Sequence, residues 1–185
     1  MEQKQAKQPI PKNGEDYSAC ITGELTDYMI KNGEKTLLTK EHNQICINCH
    51  YLIAALIAGK VSSSDPNKTT AYRYQDGTTI SNVSSNDDLY FAVGIGTDAT
   101  ASSQYTLVNE IYRKKVDTVT LDGDTVKLTA EFGSAIGNNL NWTECAIFKG
   151  GDGTANSGFM LNRKIHVAIA KTDEITLIRT FTFKF

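Results

Sequence analysis

No stretch of the sequence is apolar for long enough to cross a bilayer: the longest run, Tyr51 to Ala58, is under half of the roughly 20 residues a helical span requires. Nor does either sign of charge dominate. With 19 Lys+Arg against 21 Asp+Glu the formal net charge is -2, so the electrostatic draw that nucleic acids and anionic lipid surfaces exert on basic proteins is missing. Neither nucleic acid nor membrane is expected among the partners. Histidine is scarce, with only His42, His50 and His166, and none of them lies in a nucleophile or metal-hydrolase signature. No catalytic residue is assigned, and an enzyme is not expected. Proline is scarce too: two of the three, Pro9 and Pro11, fall in the first 18 residues. Residues 1–14 are polar, without the apolar stretch of a signal peptide. The general secretory route is therefore not expected, and Cys20, Cys46, Cys49 and Cys145 are expected as reduced thiols.

What is present is 185 residues at 40% hydrophobic content, enough for one domain that buries roughly 70% of its unfolded surface. Residues 1–18 carry few apolar groups and read as an extended N-terminal arm, unable to order itself alone. Such arms gain affinity by ordering on a neighbour. Lys4, Lys7, Pro9, Ile10, Pro11 and Lys12 are accordingly the candidate interface residues. Residues 19–185 read as a single β domain. Ala19, Ile21, Gly23, Leu25 and Met29 alternate with polar residues as in a half-buried strand, and Asn32-Gly33 then signals a hairpin into Glu34–Lys40. From Asn43 to Gly59 apolar residues recur at helical spacing, which predicts one amphipathic helix capped by Asn43 and stopped by Gly59. Residues 60–88 are rich in Ser, Thr, Asn and Asp and read as an inserted loop. Strands are predicted at 89–94, 116–121, 124–132, 142–149, 159–170 and 174–185, with a hairpin at Asp122-Gly123; residues 105–115 read as one or two helical turns, a strand not being excluded. About eight strands and one helix make the chain mainly β (α+β), an antiparallel sandwich or barrel.

Several motifs carry a chemical reading beside a plainer one. Cys46-Ile47-Asn48-Cys49-His50 satisfies C-x-x-C-H, the pattern of covalent haem attachment, and His42 adds a fourth zinc-type ligand nearby. The motif sits in a segment whose Leu52, Ile53 and Leu56 are what a sheet-packing helix needs, so buried thiols are the expectation, with no cofactor and no metal. Gly94-Ile95-Gly96-Thr97 follows a strand, as phosphate-binding turns do, but lacks the third glycine and a following βαβ unit. A tight loop is expected there. Asp122-Gly123-Asp124 and Gly150-Gly151-Asp152-Gly153 read as turns before calcium loops.

Taken together, three segments form a pattern: Asn43, Ile45 and Tyr51–Gly59; Val93 to Thr100 followed by Leu107, Glu110, Ile111 and Arg113; and a closing β run from Val126 to Gly133 and Trp142 to Phe148. This pattern resembles a module found in the head, tail and fibre proteins of tailed bacteriophages. The chain departs from it in the inserted loop at 60–88. The resemblance implies a virion structural protein, made in the host cytoplasm and carried in the virion. Among such roles it points to a capsid-surface auxiliary or decoration protein that binds and stabilises the assembled shell, a homo-oligomer, often a trimer, with the major capsid protein as partner. The alternatives are a tail, baseplate or fibre component and, from a different class, a receptor- or carbohydrate-binding module with Trp142, Tyr72 and Tyr74 as stacking platforms.

Overall fold

A computed structural model describes residues 21–47, 49, 50, 53 and 89–185. Ten strands follow one another: β1 (Thr22–Lys31), β2 (Glu34–His42), β3 (Gln44–Ile45), β4 (Leu89–Gly94), β5 (Glu110–Lys115), β6 (Thr118–Asp122), β7 (Thr125–Phe132), β8 (Leu140–Lys149), β9 (Phe159–Lys171) and β10 (Thr176–Lys184). They form two five-stranded antiparallel sheets, in the orders β2-β1-β10-β7-β6 and β3-β9-β8-β4-β5. The arrangement is compatible with a sandwich.

Local sequence sets the turns. Asn32 (φ 52°) and Gly33 (φ 80°) both take positive φ, the two-residue turn whose twist matches the strands it joins. At the second hairpin Gly123 alone is positive (φ 58°), and the turn residues are Gly123 and Asp124, one position later than the sequence suggests. Period-2 alternation then selects the core. On β1 Leu25, and on β10 Leu177, Phe181 and Phe183, face the opposite sheet together with Leu128, Ala130 and Phe132 of β7. Phe91, Val93, Trp142, Cys145, Ile147 and Leu161 answer from the other side. The rings interlock across the interface: Phe91 stacks on Phe181 at 5.0 Å between centroids and meets Phe132 edge-on at 5.7 Å, while Trp142 meets Phe132 edge-on at 5.3 Å.

Three expectations are corrected. Ten strands replace about eight, the additions being β3 and β5. The segment 105–115 contains β5 rather than helical turns, because Glu110–Lys115 pairs with β4 and Ile111 is the extra residue of a bulge opposite Val93/Gly94. The amphipathic helix predicted over 43–59 does not begin at Asn43: Gln44 and Ile45 are a strand on Arg163 and Asn162 of β9. Ile47, Cys49, His50 and Ile53 have helical backbone, and the remainder of that segment lies outside the described residues.

Candidate functional site

Seven charged side chains are buried among the described residues: Asp27, Arg113, Glu144, Lys149, Arg163, Lys171 and Arg179. On the outer face of the second sheet, Glu144 of β8 and Arg163 of β9 are both fully buried and paired, Arg163 donating from Nε at 2.9 Å and from Nη2 at 2.7 Å. The same carboxylate accepts the backbone N–H groups of Gly96 (3.0 Å), Val108 (3.2 Å) and Asn109 (2.8 Å). Arg163 Nη1 continues to Gln104 Oε1 at 2.9 Å. One ion pair thus fastens the whole 95–109 loop over the sheet, with Leu107 closing a second apolar cluster of Cys46, Ala92, Ala146, Phe148 and Met160 beneath it.

This contact explains the glycines. A Cβ on Gly96 would overlap Glu144 Oε1, and one on Gly94 would lie 2.5 Å from the Asn109 carbonyl oxygen and 2.7 Å from Glu144 Oε1. The loop does cradle an anion with backbone N–H groups, as phosphate loops do, but the anion is the protein's own carboxylate.

A second clamp lies beside the first. Arg113 on β5 holds Glu110 with both nitrogens of its fork and donates from Nη1 to Ser157 O at 2.8 Å and Ser157 Oγ at 3.0 Å, its guanidinium 4.4 Å over the Phe148 ring. Glu110 Oε2 also accepts the Asn156 N–H at 2.8 Å, and Asn156 Oδ1 accepts from Leu107 N–H at 2.9 Å. The glycine-rich turn 150–153 is ordered by this clamp: Asp152 Oδ1 accepts from Thr154 N–H at 2.7 Å, a bond that holds the Asp152 carboxyl below its usual range. Arg113 Nη1 reaches the Asp152 carbonyl at 3.4 Å, which sets a cation where calcium would need to sit.

The third pair lies between the sheets. Asp27 of β1 and Arg179 of β10 are register partners, fully buried, with Nε–Oδ1 at 2.8 Å and Nη2–Oδ2 at 2.6 Å. His166 of β9 joins them from the opposite sheet, its Nε2 2.8 Å from Arg179 Nη2 and its Nδ1 2.8 Å from the Val167 carbonyl oxygen. A carbonyl only accepts, so Nδ1 carries the proton and Nε2 accepts from Arg179. Burial, with the Arg179 charge second, pushes the ring down from 6.5 to about 4. His166 borders a groove of about 330 Å³ between β2 and β9, whose rim includes Met29, Leu38, Glu41, Ile169 and Ile175. Lys164 bridges to Glu41 at 2.6 Å and lowers that carboxyl.

The other residues singled out in the sequence are placed as follows. Cys46 packs in the outer cluster and Cys49 in the main core, so the C-x-x-C thiols enter two different apolar environments. Burial pushes Cys46, Cys49 and Cys145 up to about 12. No group of three or more His, Cys, Asp or Glu is arranged to hold a metal among the described residues. Trp142 is no stacking platform: its ring is in the core and Nε1 donates to Gly137 O at 3.0 Å. Tyr72, Tyr74, the 60–88 loop and the arm residues Lys4, Lys7, Pro9, Ile10, Pro11 and Lys12 lie outside the described residues. Sequence reasoning passed over Glu144, Arg163, Asp27 and His166. For Asp27 and Arg179 the signal was available, since each interrupts an apolar strand face. No family model, no curated protein and no solved structure matches this chain.

Proposed function

We propose that this protein is a non-enzymatic structural component of a tailed-phage particle, a β-sandwich decoration protein that binds assembled coat subunits at the capsid surface and stabilises the shell. One observation supports the reading: the residues that carry the resemblance are spent on the fold. Gly94, Gly96, Leu107, Glu110, Arg113, Glu144 and Phe148 build the two clamps that fix the loops over one sheet. The Glu144 carboxylate already takes five donors. A framework whose loops are locked down by buried ion pairs suits a part that must hold shape while its surface and arm make contacts. Repetition over a shell then makes modest interfaces sufficient.

The test is sedimentation of the purified protein with expanded empty heads and, separately, with isolated tails. Saturable binding to heads at hundreds of copies supports the reading. Binding only to tails, at three, six or twelve copies, replaces it with a tail component, and binding to neither removes it. In the same assay, deletion of residues 1–17 should lower the copy number while leaving the thermal melt in place, because the arm has too little apolar surface to belong to the core.

A further inference from the structure

Among the described residues the two sheets end in four edges without an outer strand, and three of them are protected against pairing with another chain. On β2 the edge carries Lys35 and Lys40, and a bulge at Leu38 breaks its register with β1. On β5 four of six residues are charged (Glu110, Arg113, Lys114, Lys115), with the Ile111 bulge in addition. On β9, beyond the two residues covered by β3, His166, Val167 and Ala168 all oppose Thr143 in a wide bulge. Lysine, charge and bulges are the devices by which natural sheets keep edges from pairing.

The edge at β6 has neither lysine nor bulge, and its one charge is Asp122 beside the turn. Its sequence is Thr118-Val119-Thr120-Leu121-Asp122, its register with β7 is unbroken, and every residue is exposed, Leu121 at 72% and Val119 at 37%. Among the described residues no strand lies on its outer side. The two-residue turn at Gly123-Asp124 makes Asp122 and Thr125 a hydrogen-bonded pair. By alternation the N–H and C=O of Leu121 and Val119 then point away from β7.

We infer that β6 pairs antiparallel with β6 of a second copy, about a two-fold axis through Thr120, so that the first sheets of two molecules join into one. The segment is complementary to itself in that register. Val119 faces the partner's Leu121 in both halves, which uses the four outward backbone groups of each chain and covers the two exposed apolar side chains. Thr120 faces its own copy, and Thr118 faces Asp122, so no like charges meet. A two-fold through Leu121 would leave Val119 opposite Gly123, and one through Val119 would set Leu121 opposite Asp117. Five residues a side fall short of the roughly 20–30 of a standard interface, so the dimer is weak at low concentration. The inference does not rest on the particle reading, and either can fail alone.

The experiment is sedimentation equilibrium of the full chain from micromolar to millimolar concentration, on wild type, Thr120→Lys, Thr120→Glu and an equimolar mixture of the two variants. Thr120 is exposed but lies across from Lys127 of β7, so Thr120→Lys should melt slightly below wild type and Thr120→Glu close to it, both remaining folded. Wild type should show a monomer–dimer equilibrium. Each variant should dimerise more weakly, because its like charges oppose each other across the axis, and the mixture should recover a one-to-one dimer roughly ten-fold tighter than either variant alone. A wild-type monomer at every concentration overturns the inference, as does a trimer. So does a mixture no tighter than its components, which would place Thr120 away from the axis.

Discussion

Acidification should weaken the fold through His166 before the carboxylates contribute. The groups facing the ring are Arg179 from β10, Asp27 from β1 and Glu41 from β2, with the Val167 carbonyl on its own strand. In the folded protein Nε2 accepts from a guanidinium 2.8 Å away, so a proton there would set N–H against N–H. The folded-state value is depressed to about 4 from 6.5. The unfolded chain therefore binds the proton first as pH falls, and the stability tied to the neutral ring is complete above about pH 6.5 and gone by about pH 4. At 1.36 kcal/mol per unit the loss is about 3 kcal/mol, or roughly 6–12 °C in Tm for a chain of this length. Glu41, Asp152 and Glu174, also lowered, act in the same sense at lower pH: their stabilisation is present above the unfolded carboxylate range and goes as pH falls further. The assay is urea unfolding of wild type and His166→Gln between pH 7 and pH 4. The glutamine keeps an acceptor for Arg179 and cannot titrate, so its stability should be nearly level where the wild type declines. An equal decline in the variant would refute the argument.

Phe181→Asp removes a ring stacked on Phe91, worth about 3–5 kcal/mol, and adds a desolvated charge; against a total of about 5–15 kcal/mol the far-UV spectrum at 25 °C should be that of an unfolded chain, and a cooperative melt would show the register of β10 to be wrong. Glu144→Ala strands Arg163 and three backbone N–H groups, at about 3–5 kcal/mol; hydrogen exchange should rise first at the amides of Gly96, Val108 and Asn109, and unchanged protection there would detach the loop from Glu144. Cys46, Cys49 and Cys145, raised to about 12 and buried, should resist a thiol reagent at pH 8 until urea unfolds the chain, read by mass spectrometry; rapid native labelling of any of the three would contradict its placement.

Local chemistry made most strands readable because their signals are local. Asn32-Gly33 can hardly be anything but a turn between two alternating segments, and β10 declares its buried face through Leu177, Phe181 and Phe183. Where the reading failed, a short apolar spacing served two structures equally. Leu107 and Ile111 stand four apart as on a helix, yet Leu107 seals the outer cluster and Ile111 sits in a bulge against β4. At Asn43 the polar residue and the apolar run beyond it fit a helix cap, but Ile45 is drawn two residues into pairing with Asn162, an interaction more than a hundred positions away. Tertiary pairing overrode propensity at both places.

The candidate site was legible only as breaks in pattern. Asp27 falls on the face of β1 that carries Gly23 and Leu25, and Arg179 on the face of β10 that carries Leu177 and Phe181, so each alone reads as an error in an apolar series. A buried charge without a partner would cost several kcal/mol, which means that two such breaks of opposite sign predict each other. Deciding that they meet requires knowing that β1 lies beside β10, at opposite ends of the chain, and that Asp27 is level with Arg179. Glu144 is harder, because its partners are one side chain and three backbone amides, and backbone amides leave no trace in sequence. What does leave a trace is the room they need. Gly94 and Gly96 are glycines because a carboxylate and a carbonyl occupy the space of their side chains, so a glycine pair after a buried strand is evidence of a close approach by something acidic. Whether that acid is a ligand or the chain itself is settled by the charged residue on the neighbouring strand, and here Gly94 lies directly across from Glu144.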